Sequence, residues 1–117
     1  QITSLDLSEC TALASLDCYN NRLTSLNLSR NTALVYLSCD VNQLSLINLG
    51  ENNVKLKHIQ SSSNRLDAAA LNAIFESLPS LGPVGATGTI TISGNPGAST
   101  CNKDIVRNKN WKVMDEG

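Results

Sequence analysis

At 117 residues the chain has the length of one domain, and nine basic against ten acidic residues leave a formal charge of −1, so no field attracts a phosphate backbone or an anionic lipid surface. Hydrophobic residues make up 41% but aromatics only 3%, so Leu, Ile, Val, Ala and Cys must fill the interior, which suits a narrow core. No apolar run approaches the roughly 18 residues of a membrane-spanning helix and no charged start with an apolar stretch precedes Gln1; neither nucleic acid nor membrane insertion is expected, and the chain reads as mature or trimmed.

Taken in order, residues 2–7 align with residues 23–28, the second half of a repeat whose first half is missing. That N-terminal edge is expected to expose apolar side chains and unpaired backbone groups unless something covers it. Residues 13–23, Leu-Ala-Ser-Leu-Asp-Cys-Tyr-Asn-Asn-Arg-Leu, return 21 positions later as Leu-Val-Tyr-Leu-Ser-Cys-Asp-Val-Asn-Gln-Leu in residues 34–44. Leu5 maps onto Leu26 and Ile47, and Leu7 onto Leu28 and Leu49. A fixed period of this length means stacked supersecondary units. A third unit, residues 56–66, comes one residue late because residues 50–55 carry an insertion relative to residues 29–33, which a corner loop absorbs. Each unit predicts a short strand (residues 15–19, 36–40 and 58–62), then Asn21, Asn42 or Asn64, then a second apolar segment on the opposite side of the coil. Strand alternation points Leu16, Cys18, Leu37, Cys39, Ile59 and Ser61 inward.

After Leu66 the period changes. Asp67 is placed to cap a helix, with Leu66 and Leu71 as its staple, and Leu71, Ile74, Phe75 and Leu78 recur at helical spacing until Pro79, which predicts a helix over residues 68–78. Residues 79–88 are rich in Gly and Pro and read as a loop; Gly82, Gly85 and Gly88 match no phosphate-binding motif. Residues 89–95 alternate with period two and end in Asn95 at the register of the earlier strands. Ser99 or Thr100 can cap a last short helix through about Arg107 with Cys101 and Ile105 on one face, and Trp111 and Val113 suggest a final covering strand. The expected organisation is one domain, with repeats over residues 1–66, the first of them partial, and a last repeat with an inserted helix and a C-terminal cap over residues 67–117.

The pattern Leu-x-x-Leu-x-Cys-x-x-Asn-x-Leu in residues 13–23 and 34–44 resembles the leucine-rich repeat consensus. With the 21-residue spacing, the Leu-Thr-Ser-Leu-Asn-Leu-Ser wording of residues 23–29, and the Leu-Asn-Ala-Ile-Phe-Glu-Ser-Leu-Pro and Gly-Thr-Ile-Thr-Ile-Ser-Gly-Asn-Pro-Gly stretches, the chain is similar to secreted or surface leucine-rich repeat proteins of gut-dwelling bacteria. The resemblance implies an α/β solenoid, a curved array with a parallel concave β-sheet and a C-terminal helical cap. It also implies placement at the cell surface or outside the cell, and binding of macromolecules.

Asn21, Asn42, Asn64 and Asn95 are expected to form a structural ladder, because a side-chain amide can pair the backbone groups left where the chain leaves each strand. The residues alternating with the inward ones form three outward rows: Ser15, Tyr36, His58 and Thr89; Asp17, Ser38, Gln60 and Thr91; Tyr19, Asp40, Ser62 and Ser93. If a partner, an unknown protein or glycan, docks on this face, Asp17, Tyr19, Tyr36, Asp40, His58 and Gln60 are the expected contacts. Four strands span only roughly 300 Å² of flat sheet against ~800 Å² per partner in a standard interface, which points to a small or weakly held partner, or to a surface that further repeats extend. No catalytic residue, metal ligand or cofactor is expected. A Cys–His nucleophile pair is excluded by alternation, which turns His58 outward and Cys18 and Cys39 inward. Asp17 and Asp40, diagonal on adjacent strands, form the alternative of a glycan-processing or Ca²⁺ site, and self-association as a homodimer through the N-terminal edge is the other alternative. All four cysteines are expected as thiols, and Asn27-Leu-Ser29, formally a glycosylation acceptor, is assigned no role.

Overall fold

The computed structural model describes residues 2–81 and 88–114. In chain order the elements are β1 (Ser15–Asp17), β2 (Ser25–Asn27), β3 (Tyr36–Ser38), β4 (Leu46–Asn48), β5 (His58–Gln60), α1 (Ala68–Ser77), β6 (Gly88–Thr91), α2 (Asp104–Arg107) and β7 (Trp111–Met114). They form two parallel sheets with two helices, an α/β arrangement: one sheet runs β1-β3-β5-β6-β7 and the other is the pair β2-β4.

The repeat sets the register. Leu16 lies beside Leu37, Leu37 beside Ile59, and Ile59 beside Ile90, while Leu26 faces Ile47 in the second sheet. Each strand thus contributes one branched side chain to a core column between the sheets, and Leu37, Ile59 and Ile90 are buried. Burying each such side chain contributes about 1.5–3 kcal/mol, which is why strands of three or four residues suffice. The first unit is different: Leu5, Leu7, Leu13 and Leu16 are only partly buried, where Leu26, Leu28, Leu34 and Leu37 at the matching positions are fully so.

The strands are shorter than the alternation predicts, ending at Asp17, Ser38 and Gln60. Backbone pairing nonetheless continues up to the turn, with Cys18 N–H donating to Ser38 O and Cys39 N–H to Gln60 O, both at 2.8 Å, and Asn20 N–H to Asp40 O and Val41 N–H to Ser62 O at 2.9 and 3.0 Å. Then Asn20, Val41, Ser63 and Gly94 turn the chain with φ of 61°, 58°, 58° and 75°. A left-handed residue at one repeat position breaks the extended backbone before the Asn that follows it.

The Asn ladder follows from this turn. Asn42 Oδ1 accepts Leu23 N–H at 3.0 Å and its Nδ2 donates to Cys18 O and Cys39 O; Asn64 serves Leu44 N–H, Cys39 O and Ser61 O in the same way, and Asn95 serves Leu66 N–H, Ser61 O and Ile92 O. Asn21 repeats it at the N-terminal end, accepting Ile2 N–H. Ile2 O in turn accepts Arg22 N–H, as Leu23 O accepts from Gln43 and Leu44 O from Arg65. Pro96 stands at that donor position in the last unit and has no N–H, so Gly97 N–H reaches Leu66 O instead. The expected half-unit at residues 2–7 therefore keeps its register at Ile2 although no strand forms there.

Helix α1 matches expectation closely: Asp67 caps it through Ala70 N–H at 2.8 Å, and Leu71, Ile74 and Phe75 face the core. The second helix does not. It is four residues long, starts at Asp104 and has no side-chain cap, so neither Ser99 nor Thr100 caps it. Asn102 is the reason, since its N–H donates to Asn72 Oδ1 at 2.7 Å and its own Oδ1 holds Asp104 N–H, which spends the preceding residues on turns. The fully buried residue of the helix is consequently Val106, with Ile105 half-buried. Strand β7 covers β6 in parallel as expected, and Gly88 lies so close to the Trp111 ring that an added Cβ would come within 2.8 Å of it. Residues 82–87, including Gly82 and Gly85 of the expected loop, lie outside the described residues.

Candidate functional site

The outward face of the five-stranded sheet carries the rows the alternation predicts. Ser15, Tyr36, His58 and Thr89 are in register, as are Asp17, Ser38, Gln60 and Thr91. Strand β7 adds Lys112 beside Thr89 and Met114 beside Thr91, both exposed. Sequence reasoning had placed β7 as a cover without adding it to the face; the signal was the alternation of Lys112 and Met114 with Trp111 and Val113.

The face is cross-linked by its own side chains. Tyr36 Oη and Ser38 Oγ both donate to Gln60 Oε1, at 3.4 and 3.3 Å, and His58 Nδ1 lies 3.0 Å from Thr89 Oγ1. In the third row, beyond the ends of the strands, Asp40 Oδ1 accepts Ser62 N–H at 2.7 Å and Ser93 Oγ donates to Ser62 Oγ at 3.0 Å. Tyr19, at 58% exposure, has its ring in solvent beside this row. Burial raises the Asp40 carboxyl above its ordinary value, partly offset by the Ser62 N–H, and the neighbouring Asp17 carboxylate raises it further. The two acids therefore lie close enough to repel, on the β1–β3 side of a face whose opposite edge strand carries Lys112, with His58 on the central strand. Physically this is a shallow, hydrogen-bonded polar surface with an aromatic and acidic side and a lysine on its far edge strand, able to offer hydroxyl, amide and carboxylate contacts to a ligand.

The cysteines stand apart from it. Among the described residues all four are thiols, with Cys10 exposed and Cys18, Cys39 and Cys101 buried. Burial, then Asp17, pushes the Cys18 thiol up to about 11, and burial pushes Cys39, whose Sγ lies 3.3 Å from Gln60 O, well above its ordinary value. Such thiols stay protonated and are poor nucleophiles. No family model, no curated protein and no solved structure matches the chain. Among the described residues no three His, Cys, Asp or Glu side chains are grouped to hold a metal ion, and no helix is long and apolar enough to cross a membrane.

Two further side-chain columns escaped the sequence reading. Asn31 and Asn53, 1% and 3% exposed, occupy the corner three residues before Leu34 and Leu56, and Asn31 Nδ2 donates to Leu7 O and Cys10 O. Cys10 holds the same corner in the first unit, which hid the column. Along the other side of the coil, Asn27 and Asn48 at the ends of β2 and β4, and Asp6 at the matching position of the first unit, each accept the N–H two residues on, from Ser29, Gly50 and Ser8. Asn27 also accepts Ser29 Oγ–H at 2.7 Å, so both polar residues of the formal glycosylation triplet are joined in a turn.

Proposed function

We propose that the chain is a leucine-rich repeat module of solenoid type that binds a macromolecule, a protein or a glycan, through the outward face of the five-stranded sheet, without catalysis and outside the cytoplasm. The observation that supports this reading is the register itself: Asp17, Tyr36, His58 and Gln60 lie on one face from three successive units, with Asp40 near Asp17 and the exposed Tyr19 just beyond β1. The rings of Tyr19 and Tyr36 supply rigid contact area at low entropic cost, and the hydroxyl, amide and carboxylate groups around them match the hydrogen-bonding needs of a saccharide or a peptide backbone. Placement outside the cell follows from the resemblance of the repeat to surface proteins. A glycan array and immobilised mucosal glycoproteins test the reading. Tyr36→Ala should leave Tm nearly unchanged and weaken the interaction found by about tenfold or more, in line with a truncated aromatic contact. Unchanged affinity in Tyr36→Ala moves the site off this face.

A second reading is favoured by a specific observation. The half-buried Leu5, Leu7, Leu13 and Leu16 leave an apolar end where the matching residues of the next unit are covered, which suits self-association through that edge. Light scattering on the chain and on a Leu16→Glu variant distinguishes it, since a dimer built on that edge falls to the monomer mass in the variant, whereas a chain that is already monomeric has the same mass in both.

A further inference from the structure

The corner column that begins at Cys10 ends in an amide without a partner. Asn31 Nδ2 donates to Leu7 O and Cys10 O of the preceding unit. The matching carbonyls one unit on are Leu28 O and Asn31 O, and Asn53 Nδ2 reaches neither; the corner that carries it is one residue longer. Asn53 is 3% exposed, and its Nδ2 finds no hydrogen-bond partner among the described residues. A buried donor left unpaired is destabilising, and a leucine of the same size at this position would avoid that cost. The amide lines a recess of about 410 Å³ between residues 50–54 and the C-terminal half of α1, a volume in the range of small-ligand sites.

The rest of the lining gives the occupant a chemistry. Glu51 and Glu76 are exposed, one on the corner and one on α1, and Val54 and Pro79 add apolar surface beside them. Lys109 Nζ donates to Phe75 O, Glu76 O and Leu78 O, so those backbone oxygens are already taken and an ammonium offsets part of the carboxylate charge. The recess therefore calls for no net positive charge. Carboxylates accept hydroxyl hydrogens, Asn53 Nδ2 needs an oxygen, and Val54 and Pro79 favour C–H groups; a ring bearing hydroxyls supplies all of these without charge. We infer that this recess binds a small neutral saccharide, with a sugar oxygen paired to Asn53 Nδ2 and hydroxyls donated to Glu51 and Glu76. The inference is independent of the sheet-face reading, since none of the residues of that face lines the recess.

Proton–nitrogen correlation NMR on the whole chain tests it, with D-glucose, D-galactose, D-mannose and N-acetyl-D-glucosamine as probes. Saturable shifts of the Asn53 side-chain amide and of the Glu51 and Ser77 backbone are expected with at least one sugar. The expected Kd is on the order of 1–10 mM, as suits an open recess with few polar anchors. Glu51→Ala and Glu76→Ala change exposed side chains, so each should keep Tm and weaken binding about threefold or more. Asn53→Leu gives up no side-chain bond within the protein, so it should hold or raise Tm while weakening binding by about tenfold or more. A loss of Tm in Asn53→Leu as large as in Asn31→Leu would make the amide a structural pairing group and overturn the proposal. So would the absence of shifts with all of these sugars up to about 100 mM, or binding that Asn53→Leu, Glu51→Ala and Glu76→Ala leave intact. Loss of binding in Tyr36→Ala would place the sugar on the sheet face and likewise overturn it.

Discussion

Replacing Asn64 by alanine should destabilise the fold by about 2–4 kcal/mol, and the hydrogen bonds show where that number comes from. Asn64 Oδ1 accepts Leu44 N–H at 3.0 Å, and its Nδ2 donates to Cys39 O, Ser61 O and Ser62 O at 3.1 to 3.2 Å. Not all of these groups are orphaned by the change. Cys39 O retains Asn42 Nδ2 at 3.2 Å, and Ser61 O retains Asn95 Nδ2 at 2.8 Å, because each strand-end carbonyl is shared between successive rungs of the ladder. Leu44 N–H is the group left with nothing, in a residue of 0% exposure. One buried unpaired donor costs about 1–3 kcal/mol, and losing second partners on the shared carbonyls adds about 1 kcal/mol. Asn21→Ala is the internal control. Its Oδ1 serves the N–H of exposed Ile2, water can replace it, and the cost should stay below about 1 kcal/mol. Asn64→Asp should be worse than Asn64→Ala, since it loses the donors and sets a carboxylate against three carbonyl oxygens. Urea denaturation at constant m-value measures all three, and hydrogen exchange should show Leu44 losing protection. Equal costs for Asn64→Ala and Asn21→Ala would refute the claim that the ladder stabilises through buried pairing.

Val41 holds a φ of 58° with a β-branched side chain that is half exposed, so Val41→Asn, which tolerates the left-handed region, should gain about 0.5–1.5 kcal/mol and raise Tm by several degrees in calorimetry; a lower Tm would mean that packing of the valine outweighs its backbone strain. Lys109 Nζ donates to Phe75 O, Glu76 O and Leu78 O at the C-terminal end of α1, and Lys109→Met, which keeps the stem, should cost about 1–3 kcal/mol by chemical denaturation; a neutral result would show the clasp to be replaceable by water. For Asp40 the folded carboxyl is raised, so the folded state holds its proton where the unfolded state has released it, and stability falls as pH rises from the unfolded value near 3.8 through the folded one. Asp40→Asn keeps an acceptor for Ser62 N–H, so the variant should be the more stable at neutral pH and lose that advantage below the ordinary carboxylate range; an advantage that persists in acid would assign the effect to something other than titration.

The degree to which each column could be read in the sequence follows what a departure from it costs. A leucine removed from the central units forfeits about 2–5 kcal/mol, so Leu37 and Ile59, or Leu26 and Ile47, recur visibly, and the strand register followed from them alone. The Asn ladder costs nearly as much to break and recurs without exception at Asn21, Asn42, Asn64 and Asn95. The left-handed turn before it asks for only about 1–2 kcal/mol at a non-glycine residue, and the positions are filled by Asn20, Val41, Ser63 and Gly94, four residue types that share no pattern. The corner column of Asn31 and Asn53 was hidden by Cys10 and by the one-residue insertion, and α2 was overestimated because Asn102 binds Asn72, a partner 30 residues away that no local signal announces. For the outward face no stability term enforces a pattern: Tyr36, His58 and Lys112 share a row in which each unit carries a different side chain. Periodicity therefore locates such a surface through the buried residues on the other side of the strand, while the chemistry displayed on it follows no repeat, because no packing cost ties one unit's outward side chain to the next.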